Sequence, residues 1–87
     1  MSEITGSRVE ARFAQLFLKL LDRLGRPEEG GVLVPLILSR QDLADLAGTT
    51  VETSIRIMSR WGKEGIVSTR DDGFLVLDRD VLEQLGS

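Results

Sequence analysis

Two short helical segments separated by a three-residue turn constrain this chain more than any other feature. Ser39 is an N-cap candidate for a helix from Arg40 to Ala47, which Gly48 ends. Thr50 is the N-cap candidate for a second helix, from Val51 to about Lys63. Two helices joined by a tight turn that contains glycine are typical of a helix-turn-helix.

A longer amphipathic helix is predicted upstream of this pair. Ser7 and Glu10 have the spacing of a capping box, which places the start of a helix of about 17 residues at Ser7. Gly25 is expected to end this helix in the left-handed conformation. The apolar residues of the segment recur at steps of three and four and therefore share one face: Val9, Phe13, Leu16, Phe17, Leu20, Leu21 and Leu24.

The remaining segments predict a small amount of β-structure. Residues 26–31 are expected to form a polar loop, and Pro35 limits the apolar run 32–38 to a short strand or an edge strand. Downstream, β-prone residues on both sides of Asp71-Asp72-Gly73 predict a hairpin over about residues 66–77 that turns at Asp72-Gly73. Asp78 is a cap candidate for a last short helix, Arg79 to Leu85.

These elements predict a mainly α chain with a small β-hairpin wing, that is, a winged helix-turn-helix with a three-helix core. The chain is interpreted as one domain, residues 1–87, with the helix-turn-helix over about residues 39–64. Met58 and Trp61 lie at helical spacing and are interpreted as core residues rather than as an aromatic binding surface. The residues expected to be buried are Phe17, Leu20, Leu43, Leu46, Met58 and Trp61.

The composition excludes several classes of function. The chain has no His, Cys or Tyr, so any catalytic site would depend on carboxylates, Lys, Ser or Thr. The adjacent acids Glu28/Glu29 and Asp71/Asp72 are interpreted as solvated loop residues rather than metal ligands. No apolar run approaches the length of about 20 residues that spans a membrane. The sequence therefore predicts a cytoplasmic protein with no enzymatic activity, no metal and no cofactor.

The sequence from Leu38 to Thr53, followed by Arg56, Gly65 and Ile66, closely resembles the helix-turn-helix of the Crp/Fnr family of bacterial transcription regulators. The resemblance implies sequence-specific binding to double-stranded DNA by the output domain of such a regulator. Family members usually carry an N-terminal sensor β-roll and a long dimerisation helix before this domain. The resemblance thus implies a homodimer on a two-fold symmetric site for the full-length regulator, with RNA polymerase as a further candidate partner. The chain alone is expected to be a monomer or a weak dimer.

The second helix of the pair, about residues 51–63, is expected to lie in the major groove with its N-terminal residues against base edges. The candidate base-reading residues are Val51, Glu52, Ile55 and Arg56, and Ser54 lies among them. A carboxylate can accept from cytosine N4 and a guanidinium can donate to guanine, and the resemblance assigns base reading to the positions of Glu52 and Arg56. The alternative is that Glu52 and Arg56 form only an exposed ion pair, four residues apart.

Phosphate contacts that position the domain without reading sequence are expected from a second set of residues. The candidates are Arg40, Thr50, Arg60, Lys63 and Arg70. Capping alone would also explain Thr50, and a solvated surface would also explain each of the cations.

Two features of the sequence favour a different hypothesis, a winged-helix module that binds protein rather than DNA. The net charge is −3, although residues 39–70 carry five basic residues against four acidic ones. In addition, the family usually has an apolar residue followed by a small one where this chain has Ser54 followed by Ile55. This swapped order leaves the rotation of the second helix open.

Overall fold

The computed structural model describes the backbone of residues 2–87 and the side chains of residues 8–87. Within that stretch, helices and strands follow one another in this order: α1 (Ser2–Leu24), β1 (Arg26–Glu28), β2 (Gly31–Val34), α2 (Arg40–Ala47), α3 (Val51–Lys63), β3 (Val67–Arg70), β4 (Gly73–Val76) and α4 (Arg79–Leu85). The winged helix-turn-helix predicted from the sequence is confirmed.

Local capping fixes the helix-turn-helix pair where the sequence predicts it. The Ser39 hydroxyl accepts from the Asp42 backbone N–H at 3.0 Å, and the Asp42 carboxylate accepts from the Ser39 N–H at the same distance. Gly48 ends α2 with a φ of 73°, which an L side chain rarely adopts. Because these signals involve residues close in sequence, the bounds of α2 and α3 could be predicted from sequence alone.

Helix α1 differs from its prediction at both ends. It begins at Ser2 rather than at Ser7, and the Ser7 side chain that would complete the capping box lies outside the described residues. Gly25 is not in the left-handed conformation. Its N–H still donates to the Leu21 carbonyl at 2.9 Å, and the chain then enters β1 directly. A Cβ at Gly25 would lie only 2.5 Å from that carbonyl oxygen, so close packing explains this glycine.

The strands form a four-stranded antiparallel sheet in the order β1-β2-β4-β3. The predicted loop over residues 26–31 is wrong, because Arg26–Glu28 pairs with Gly31–Val34. The prediction of a short strand before Pro35 is correct, but β2 lies inside the sheet rather than at its edge. Pro27 lies instead in the edge strand β1, where a missing backbone donor is tolerated.

The wing hairpin, β3 and β4, turns one residue earlier than predicted. Arg70 pairs with Gly73, so the two-residue turn consists of Asp71 and Asp72. Gly73 has a φ of 144°, and a Cβ there would lie 2.0 Å from the carbonyl oxygen of Val34 on the neighbouring strand. Glycine is required because the start of β4 approaches the β2 backbone too closely for a side chain.

The core is built around Trp61, which is fully buried. Its ring packs edge-on against Phe13 and Phe17, with centroids 6.2 Å and 5.8 Å away, and Phe17 continues the contact to Phe74. This confirms that Trp61 belongs to the core and fixes the packing of α3 against α1.

Most of the predicted core residues are buried, and one prediction is wrong. Phe17, Leu43, Met58 and Trp61 are buried, and Leu20 packs half-buried against them. Leu46, in contrast, is 58% exposed. The buried face of α2 is formed by Leu43, Ala44 and Ala47, and Leu46 lies to one side of that face.

Candidate nucleic-acid interface

Helix α3 presents one face to the core and the other to solvent. Ser54, Ile57, Met58 and Trp61 form the buried face. The opposite face lines a shallow groove of about 460 Å³ and carries Glu52, Ile55, Arg56, Ser59, Arg60 and Lys63. This second set is called the exposed face of α3 below. It brings together three of the four predicted base-reading residues, together with two of the predicted phosphate contacts.

The burial of α3 resolves the swapped pair of residues. Ser54 is 0% exposed and lies on the same side of the helix as Ile57 and Met58. Although Ser54 lies among the candidate base-reading residues in sequence, its side chain faces the core. Ile55 is 51% exposed and lies on the exposed face of α3. The serine of this pair is therefore the buried residue, and the isoleucine is the exposed one.

Glu52 and Arg56 point to solvent from successive turns of α3. No ion pair or hydrogen bond joins their side chains, although both belong to the described stretch. The alternative of a simple intrahelical pair is therefore not realised in this structure. Val51, the first residue of α3, is half-buried beside them.

Thr50 caps α3. Its hydroxyl oxygen accepts from the Thr53 backbone N–H at 3.2 Å, and its hydroxyl donates to the Thr53 side chain at 3.0 Å. Both Thr50 hydroxyl contacts are local, and the one accepted from the Thr53 N–H satisfies a free donor at the helix N-terminus. The capping explanation for Thr50 thus has direct structural support.

Three of the four predicted phosphate-binding cations already have partners in the protein. Arg60 forms an ion pair with Glu10 at 2.8 Å, and Arg70 lies 3.7 Å from Glu28 and 3.5 Å from Asp72. Arg40 donates to the Thr69 hydroxyl at 3.1 Å. Lys63 is exposed and makes no ion pair with any other residue in the 8–87 stretch.

The contact between Arg40 and Thr69 joins the first residue of α2 to strand β3 of the wing. Helix α3 also packs against β3. The N-terminus of α2, helix α3 and strand β3 are therefore joined in one continuous surface.

The structure adds one residue that sequence reasoning did not assign to this region. Glu10 was predicted only as half of a capping box, yet its carboxylate contacts both Arg60 and Trp61 of α3. These residues are about fifty positions apart, so no local pattern in the sequence signals the contact.

Residues 8–87 contain no cluster of three or more acidic side chains arranged to hold a metal ion. Across the part of the chain that the structure describes, no helix is both long and apolar enough to cross a membrane.

Comparison with known proteins agrees with this fold. A family model described as the Crp-like helix-turn-helix domain matches residues 11–85. The transcriptional activatory protein AadR of Rhodopseudomonas palustris is 36% identical over 69 residues, which cover 79% of this chain and 29% of AadR. The nitrogen fixation regulation protein FixK of Bradyrhizobium diazoefficiens is 31% identical over 78 residues, which cover 90% of this chain and 33% of FixK.

A solved structure has the same fold. The CO-dependent transcription factor CooA of Carboxydothermus hydrogenoformans matches with a TM-score of 0.82 at 23% identity, over 90% of this chain and 36% of CooA. The fold and the family model together define a winged helix-turn-helix domain. The chain belongs to the Crp-like helix-turn-helix domain family, which confirms the resemblance found in the sequence. It spans about a third of the length of these relatives.

Proposed function

We propose that residues 1–87 form the DNA-binding output domain of a Crp/Fnr-like transcription regulator and that α3 binds in the major groove of a specific duplex site. The observation that carries the proposal is the exposed face of α3. There Glu52, Ile55 and Arg56 project to solvent from the N-terminal half of the helix, opposite the buried Trp61. A recognition helix needs this arrangement, because its outward side chains must reach base edges while its inner face remains packed.

Each proposed base-reading residue has a chemical reason for its role. Arg56 donates to guanine O6 and N7, and Glu52 accepts from cytosine N4. Val51 and Ile55 contact thymine methyl groups, since neither side chain can form a hydrogen bond. No ion pair within α3 has to be broken for Glu52 and Arg56 to make these contacts.

A second set of residues is proposed to position the domain on the DNA backbone: Lys63, Arg40, Thr50, Arg60 and Arg70. Lys63 is the simplest case because its ammonium group is exposed. Arg60 and Arg70 can reach a phosphate only by giving up a carboxylate partner, so each is expected to contribute little while that ion pair is intact. The helix N-terminus that Thr50 caps favours a phosphate through its backbone N–H groups. Because few cations are available, one copy of the domain is expected to bind DNA weakly. We therefore propose that the full-length regulator is cytoplasmic and binds a two-fold symmetric site as a homodimer. We also propose that it contacts RNA polymerase at that site.

The proposal is tested by selection from random duplexes at low salt, using two copies of the chain joined through a fused parallel coiled coil. The fusion raises the effective concentration of the second copy and offsets the weak affinity of one. A palindromic motif is expected. Arg56→Ala and Glu52→Ala should each cost about 1–3 kcal/mol on that motif and relax the preference at one base pair.

Lys63→Ala is the matched control, because it removes a charge from the same face of α3 without removing a base contact. It should weaken binding to all sequences alike and reduce the salt slope by about one. If no motif emerges and Arg56→Ala has no effect, DNA reading by α3 is wrong.

A protein-binding winged helix is the second candidate function. It is favoured by the exposed apolar side chains of Ile37 and Leu46, which are 73% and 58% exposed. Failure of the selection, together with binding that depends on Leu46, would favour this candidate.

A further inference from the structure

Glu10 links α1 to the recognition helix through a single carboxylate oxygen. Its Oε2 accepts from the indole N–H of Trp61 at 2.8 Å and from the guanidinium of Arg60 at 2.8 Å. The Glu10 side chain is only 15% exposed, whereas that of Arg60 is 46% exposed. The carboxylate is therefore fixed against the core, and the arginine is the partner that can move.

The contact with Trp61 explains the need for an acceptor at residue 10 but not for a charge. The indole ring is fully buried and its N–H requires a hydrogen-bond acceptor. A neutral amide oxygen from glutamine would also accept from that N–H, in a weaker hydrogen bond than the carboxylate forms. What glutamate adds is an ion pair with Arg60, which also lines the groove on the exposed face of α3.

We propose that Glu10 limits the affinity of this domain for DNA by competing with a backbone phosphate for Arg60. The inference rests on the proposed DNA-binding function. A carboxylate and a phosphate are both anionic acceptors for a guanidinium, and DNA must displace the carboxylate or leave Arg60 where it is. Glu10 also places a fixed negative charge next to the helix that approaches the polyanion.

Because of this competition, Arg60 contributes little to the affinity for DNA as long as residue 10 carries its negative charge. Glu10→Gln retains an acceptor for the Trp61 N–H and abolishes the ion pair. This variant should bind a random-sequence duplex about three- to tenfold more tightly at 50 mM salt, with a salt slope steeper by about one released counterion. Arg60→Ala alone should change affinity and slope little. The same substitution in the Glu10→Gln background should remove the whole gain.

Fluorescence anisotropy of a labelled random-sequence 20-base-pair duplex, titrated with the 87-residue chain over a range of salt, measures affinity and slope together. Glu83→Gln is the matched control, because it removes one acid from an ion pair with Arg79 on α4, 3.2 Å long. Any rise in affinity from net charge alone appears in this variant too. The emission maximum of Trp61 verifies that its surroundings are preserved in Glu10→Gln.

The outcomes separate the inference from the proposed function. If the unaltered chain binds the duplex and Glu10→Gln matches Glu83→Gln in affinity and slope, the inference is wrong although DNA binding stands. If no variant binds the duplex, the proposed function fails first. If Glu10→Gln does not fold, the single variant Arg60→Ala still tests the inference. Loss of a full unit of salt slope in that variant would show that Arg60 already contacts phosphate in the unaltered chain, and this result would overturn the inference.

Discussion

Replacing Ser54 with alanine should stabilise the protein, which is unusual for a change at a fully buried position. Ser54 is 0% exposed, and its hydroxyl oxygen has no hydrogen-bond partner among the described residues. Unfolding returns this hydroxyl to water, where it is fully hydrogen-bonded. Folding therefore bears a desolvation cost that alanine avoids, since alanine keeps the Cβ and lacks only the oxygen.

The size of the effect follows from three contributions. Burial of a hydroxyl without a partner costs about 1–3 kcal/mol in protein mutational data. Alanine adds up to about 0.5 kcal/mol through its higher helix propensity at the fourth residue of α3. Loss of the packing contacts of one oxygen atom subtracts a few tenths of a kcal/mol. We expect a net stabilisation of about 1–3 kcal/mol, which corresponds to a rise in Tm of about 4–24 °C in a chain of this size.

Urea unfolding followed by the fluorescence of Trp61 measures this change, because Trp61 is the only tryptophan and is fully buried. Ser59→Ala is the matched control. It makes the same substitution in the same helix at an exposed position and reports helix propensity alone. If Ser54→Ala is no more stable than Ser59→Ala at an unchanged m-value, the hydroxyl has a partner in solution and the reasoning is refuted.

Three further outcomes are expected. Gly73→Ala should destabilise the protein by more than about 2 kcal/mol in the same urea assay, because the new Cβ would lie 2.0 Å from a backbone oxygen. The 87-residue chain should sediment as a monomer or a weak dimer, since so short a chain must first satisfy its own core. Val51→Arg should shift the selected motif towards guanine at one base pair, because arginine supplies the bidentate donor that valine lacks.

A specific experimental result would contradict each of these three predictions. Gly30 has a φ of 91° with open space around it, so Gly30→Ala measures backbone strain without the clash; equal costs at Gly30 and Gly73 would refute the steric argument. A dimer that persists at nanomolar concentration would contradict the second prediction. An unchanged motif for Val51→Arg would place residue 51 away from the bases.

The helix-turn-helix could be predicted closely because its determinants are local. Ser39, Gly48 and Thr50 act on groups within a few positions of themselves, so their roles can be read from short patterns. Strand β1 was missed because its polar sequence shows no alternation and its strand conformation depends on pairing with β2. Helical spacing puts Leu43, Ala44 and Ala47 on the inward face of α2, as the structure has them, and Leu46 was wrongly added to the core although it lies beside that face.

At the candidate interface, too, local features could be predicted from the sequence and features set by tertiary contacts could not. The composition of the exposed face of α3 followed from helical spacing and from the family resemblance. The rotation of the helix, which separates Ser54 from Ile55, is decided by packing against α1 and the sheet. The partners of Arg60 and Arg70 are distant in sequence, so the state of these two cations could be learned only from the structure.

The central claim is that the exposed face of α3 contacts DNA. A titration of the ¹⁵N-labelled chain with a duplex carrying the selected motif, followed by amide and arginine side-chain NMR resonances, tests it most directly. The account predicts the largest shifts at the N-terminus of α3 and at the Arg56 side chain, smaller shifts at Lys63 and in the wing, and little change on α4. Shifts that concentrate on α4 or around Leu46, with α3 unaffected by saturating duplex, would contradict the account.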